Sequence, residues 1–91
     1  MEDPKMEDQK MIKILLLSTN QLIISQIEEV GAEIGDPNCR LIKPHDIDGD
    51  NMTPWMNEFT TQDTMMINSD KILTLVDPNE KYLTMYQEIL K

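Results

Sequence analysis

The sequence predicts a small, mainly β domain in which five antiparallel strands are followed by one helix. Three observations carry this. Met11 to Leu17 is a short, almost continuous apolar run that stops at the turn formers Ser18, Thr19 and Asn20. Ile67-Asn68-Ser69-Asp70-Lys71 leads into Ile72-Leu73-Thr74-Leu75-Val76, which reads as strand, tight polar turn, strand. The later chain shows none of the strand–helix alternation that a doubly wound α/β domain requires.

Ninety-one residues make one domain, and a chain this short gains stability from self-association. No run of about eighteen apolar residues is present, so no transmembrane helix and no membrane partner are predicted. The acidic, polar first residues are unlike a signal peptide. A lone cysteine, Cys39, excludes an internal disulfide and fits a reducing compartment, so the expected location is cytoplasmic.

The elements follow in order. Residues 1–10, MEDPKMEDQK, lack an apolar period and read as a mobile arm. Strand one starts at Met11. Gln21 to Val30 admits two readings. As a helix, Leu22, Ile23, Ile27 and Val30 form a stripe with Asn20 as N-cap, which makes the chain a small α/β receiver-like module. As a strand it completes a hairpin, and the adjacent β-branched Ile23 and Ile24 favour this. Gly31 to Pro37 is a loop, Cys39 to Ile47 a third strand, and Asp46 to Asn51 a turn. Met52 to Ile67 is one long fourth strand, bent or interrupted by Pro54 and by Thr60 to Asp63. Ile72 to Val76 is the fifth, apolar on both faces and therefore expected to be covered on both sides. Asp77 or Asn79 caps a helix reaching Lys91, with Tyr82, Met85, Tyr86 and Ile89 on one face.

The Ile67–Val76 stretch resembles the second sequence motif of the Sm/Lsm family: an aliphatic residue, Arg, Gly, two polar residues and an aliphatic strand, forming the last hairpin. Asn68 stands where the family has Arg, and Ser69 where it has Gly. The resemblance covers roughly Met11 to Val76. It implies an Sm-like fold, a strongly bent five-stranded antiparallel sheet curled into a small open barrel. Residues 1–10 are then an arm, 11–78 the barrel and 79–91 a terminal helix, although the usual Sm helix precedes the first strand. The resemblance also implies a homo-oligomeric ring of about five to seven copies. In that ring Met65–Ile67 of one subunit pairs with Leu73–Val76 of the next. Two loops would meet at the ring mouth to hold single-stranded RNA. One is Gly31 to Asn38, and the other is Asn68, Ser69, Asp70 and Lys71, with Arg40 and Lys43 as further contacts. Compact, acidic members of this kind suit bacteria or their phages.

The charge argues against a simple polyanion binder. The net charge is −9, and residues 32–64 hold seven acids against two bases, net −5. The Ile67–Val76 stretch is close to neutral, so RNA contact is expected there. The alternative is a protein-interaction scaffold with no nucleic-acid role. Asp46-Ile47-Asp48-Gly49-Asp50-Asn51 has its glycine at the fourth place rather than the sixth, so it reads as a solvated hairpin tip rather than a calcium loop. His45 reads as a surface histidine, and one histidine with one cysteine cannot build a zinc site. Trp55, Phe59, Tyr82 and Tyr86 read mainly as packing residues. No cofactor and no enzymatic activity are predicted.

Overall fold

A computed structural model describes residues 12–91, so the arm expected at residues 1–10 lies outside the described residues. The elements are β1 (Ile12–Leu17), β2 (Leu22–Glu29), β3 (Cys39–Asp48), β4 (Asn51–Pro54), β5 (Thr64–Ile67), a 3-10 turn (Ser69–Lys71), β6 (Ile72–Val76) and α1 (Glu80–Ile89). β1, β2 and β3 form an antiparallel meander. β6 returns antiparallel to β1, while β4 and β5 both pair with β3. Every pairing is antiparallel, so the domain is mainly β. Within Gln21 to Val30, Leu22–Glu29 is strand, which removes the α/β receiver-like alternative.

Two corrections concern strand count and pairing. Among the described residues six strands stand where five were expected, because Met52–Ile67 is two strands parted by turns. Their common partner explains the split. Opposite β2, the register jumps from Gln26↔Ile42 to Ile24↔His45, so Lys43 and Pro44 together face Ser25. This is a β-bulge, with Lys43 at φ 53° in the left-handed region and Pro44 unable to donate to a ladder. The bulge bends β3 and divides its outer edge. β5 takes Cys39–Ile42, and β4 takes His45–Asp48.

Ile67–Val76 is not the hairpin expected from its residues. β5 lies outside β3 and β6 lies outside β1, at opposite ends of the sheet. In a flat sheet their axes would stand four strand spacings apart, about 19 Å. The connection from Ile67 to Ile72 passes through a 3-10 turn and reaches only about 13 Å. The sheet must therefore curl to bring its ends towards one corner. It does not close into a barrel: among the described residues β5 and β6 share no ladder.

The core has two parts, on opposite faces of β1, because successive side chains alternate. Leu15 and Leu17 join Ile23 and Leu41, with Ile27, Trp55, Ile67 and Ile72 packed around them. Ile12 joins Ile24 and Tyr86, with Ile14, Ile47, Met52 and the α1 residues Tyr82 and Leu83 around them. The apolar run of β1 thus serves both parts. Asn79 caps α1, its Oδ1 accepting from the Tyr82 N–H at 3.1 Å. The buried helix face differs from the expected one: Leu83 and Leu90 pack inward, and Ile89 is exposed. The far end of the sheet is tied to the start of α1. The Tyr82 hydroxyl donates to the Gly49 carbonyl at 3.2 Å, and Lys81 pairs with Asp50 at 2.7 Å. That bond, with the Lys81 charge, holds the Asp50 carboxyl below its ordinary range.

Tyr86 completes the bulge. Its hydroxyl accepts from the Gln26 N–H at 3.2 Å, and its single hydrogen is shared between the Ile42 and Lys43 carbonyls, 3.1 and 2.9 Å away. Ser25 Oγ, also buried, lies 3.1 Å from the same Ile42 carbonyl. Backbone groups displaced from the ladder thereby find side-chain partners. Burial pushes the Tyr86 phenol up to about 12. An unfolded tyrosine ionises near 10, so the folded state keeps its proton while the unfolded chain loses it. Stability is therefore full below about pH 10 and falls as pH rises towards 12, by about 2–3 kcal/mol in all. Denaturant titrations at stepped alkaline pH should show this fall, and Tyr86→Phe should remove its share of the slope.

Candidate functional site

The corner where the sheet ends converge gathers four of the six residues singled out in the sequence. Asn68 opens the 3-10 turn, its Oδ1 accepting from the Asp70 N–H at 3.0 Å. Asn38, from the β2–β3 connection, reaches across: its Oδ1 accepts from the Ser69 N–H at 2.9 Å, and its Nδ2 donates to Ser69 Oγ at 3.1 Å. The Ser18 N–H donates to the Lys71 carbonyl at 2.8 Å, adding the β1–β2 turn. The two loops expected to meet therefore do meet, through Asn38 and Ser69. Their contact uses most of the polar atoms there. The Asp70 carboxylate and the Lys71 ammonium are left exposed at the tip.

Arg40 and Lys43 are placed differently. Arg40 lies opposite Glu28 across the β2–β3 ladder and pairs with it. Lys43 sits on the bulge, about 10 Å further along β3, and pairs with Asp63 at 3.3 Å. It does not join the corner. Among the described residues, Lys71 is the one cation without a carboxylate partner.

β6 overturns the expectation that it is covered on both sides. Only Ile72 is half-buried; Leu73 is 59% exposed, Leu75 48% and Val76 47%. One edge of β6 bonds to β1, and among the described residues its other edge bonds to nothing. β5 likewise has an open edge, with Met66 46% exposed. Beside the corner, Ile27, Cys39, Ile72 and Leu75 line a groove of about 310 Å³, flanked by Glu28 and Glu29. Cys39 is a free, buried thiol, pushed up first by burial and then by the Glu29 charge.

A family model described as a family of unknown function (DUF6561) matches residues 10–91. The chain belongs to that family. The matched span includes all six strands, the 3-10 turn and α1, so the corner and both open edges lie within the DUF6561 region. No curated protein sequence matches the chain. Among the described residues, no group of three or more His, Cys, Asp or Glu side chains could hold a metal ion, and no helix is long and apolar enough to cross a membrane.

Sequence reasoning missed two side chains. His45 is buried, not a surface residue: Nδ1 donates to the Lys43 carbonyl at 2.9 Å, and its ring meets Tyr86 edge-on at 5.7 Å. The bonding role of Tyr86 was equally hidden. The Lys43-Pro44 pair in mid-strand was the available signal, since a proline inside a paired strand marks a bulge.

Proposed function

We propose that the chain is an Sm-like, self-assembling protein whose copies join strand edge to strand edge, β6 of one against β5 of the next. About five to seven copies close a ring. The observation that carries this reading is the composition of β6. Its residues are those of a buried strand, yet three of the five are large, apolar and about half exposed on an open edge. A neighbouring β5, with Met66 outward, offers both the missing ladder partners and apolar cover. The cytoplasm suits such a protein, with its free Cys39 thiol. Light scattering at micromolar concentration should return a multimer, and a monomer mass refutes the reading.

A second activity, weak binding of single-stranded RNA at the corner, is favoured by one observation: Lys71 is exposed and uncommitted beside Asn68 and Asp70. Arg40 adds little, because it lies opposite Glu28 and pairs with it, and Lys43 adds nothing there, because it does not join the corner. With a net charge of −9, long-range steering repels polyanions, so contact has to be local. Fluorescence anisotropy with short uridine- and adenine-rich oligonucleotides should show weak binding with a shallow salt slope, abolished by Lys71→Glu. No binding at about a hundred micromolar protein leaves assembly as the whole function, in the manner of a scaffold.

A further inference from the structure

A second cleft lies away from the corner, and neither assembly nor RNA contact uses it. It measures about 520 Å³ and lies where the β3 bulge, the turn after β4 and the end of α1 face one another. Trp55, half-buried against the core, forms part of its wall with Pro44 and Leu90. Lys43 and Lys91 approach it from different elements. His45 also lines it, and its Nδ1 is committed to the Lys43 carbonyl. Among the described residues Nε2 has no hydrogen-bond partner, and no fully buried side-chain nitrogen or oxygen lacks one, so Nε2 keeps some contact with solvent. With the proton on Nδ1, Nε2 offers a lone pair.

We propose that this cleft binds a small planar ring bearing one anionic group and one hydrogen-bond donor. The ring lies against Trp55, in the mode of apolar walls with a few placed polar groups. The anion sits between Lys43 and Lys91, and the donor meets His45 Nε2. Both lysines hold exposed carboxylates, Asp63 at 3.3 Å and Glu88 at 3.1 Å. Exposed pairs of this kind are weak and are readily exchanged for a ligand anion. On an acidic chain, a cleft lined by two lysines against the one carboxylate of Asp63 favours negative charge locally, while the surrounding acids disfavour polyanions. That points to a small ligand rather than a strand of nucleic acid. The same chemistry is found in an aromatic carboxylate and in a pyrimidine nucleotide.

The test uses 4-hydroxybenzoate and uridine monophosphate as probes, followed by nuclear magnetic resonance. Trp55 is the only tryptophan and His45 the only histidine, so the indole N–H and imidazole signals need no further assignment. Saturable shifts of both signals below about 10 mM probe are expected. The uncharged 4-hydroxybenzamide and uridine should bind about tenfold more weakly. The Lys43→Met, Lys91→Met double variant should lose about tenfold for the charged probes only. Both substitutions are at exposed side chains, and an unchanged indole signal in the absence of probe reports an intact fold. Saturation by the carboxylate alone or by the nucleotide alone supports the site and identifies the anion it prefers. No saturation by either probe, or binding that survives loss of both lysines, overturns it.

Discussion

On the proposed edge-to-edge assembly, Leu73→Glu should leave the protein monomeric without altering its fold. Leu73 is the extra residue of a β6 irregularity, since the pairing passes from Leu16↔Thr74 to Leu17↔Ile72. It has no partner opposite it in β1 and is the most exposed apolar side chain of β6. Within one subunit it therefore contributes little. Against a second copy it gains the burial of a leucine, about 1.5–3 kcal/mol. Glutamate forfeits that gain and brings a further negative charge to a surface between two acidic chains. A loss of about 3 kcal/mol per interface weakens each contact more than a hundredfold, and every subunit of a ring makes two. Light scattering should show the mass fall to that of one chain, with circular dichroism and melting temperature unchanged apart from the loss of assembly. A variant that keeps its multimer mass rules out the β6 edge as the interface. Proline at Leu75 is a poorer probe, because Leu75 also pairs with Leu15 inside the subunit.

Tyr86→Phe should destabilise the fold strongly, although it removes a single oxygen. The ring would still fill its place between Ile12 and Ile24, so packing is conserved. What disappears is the oxygen that joins Gln26 to the bulged carbonyls of Ile42 and Lys43. An unpartnered buried amide costs about 1–3 kcal/mol, and Ser25 can relieve only the Ile42 side. In a domain of this length each kilocalorie lowers the melting temperature by about 4–8 °C. Calorimetry should thus register a fall of about 10 °C or more, whereas Tyr82→Phe, which loses one exposed bond to Gly49, should change it little. Equal effects of the two variants would show that Tyr86 acts through its ring alone.

Much of this architecture could be read from residue patterns, because local signals and tertiary needs coincide. Ser18-Thr19-Asn20 marks the first hairpin, and Asn20 does take the left-handed conformation that asparagine tolerates. Asn79 caps the helix as its residue type suggests. The strand character of Leu22–Glu29 emerges from paired β-branched residues where the helical stripe was equally regular. Pattern failed where the outcome depended on which strands become neighbours. A strand, a polar turn and a strand look like a hairpin whether the two strands pair with each other or diverge to opposite ends of a curled sheet. Apolar residues on both faces of β6 signalled cover, and nothing local could say that the cover is not supplied within the subunit. The corner was found because turn chemistry is local. The cleft at Trp55 was not, because its walls come from residues 43–45, 54–63 and 89–91, which only the bulge and the docking of α1 bring together.

The pairing of β6 with β1 sets an order on how the chain acquires its shape. β1, β2 and β3 are successive neighbours joined by short connections, so their contacts close small loops and form early. The partner of β1's outer edge is more than fifty residues downstream. A chain emerging from the ribosome therefore carries an apolar three-stranded sheet with one side bare until residue 76 is free to return. During that interval the β6 of a neighbouring chain fits the vacant edge in the same register as the chain's own. The 3-10 turn is the hinge about which such an exchange would swing, giving a swapped dimer that forms during synthesis or refolding and rises with protein concentration.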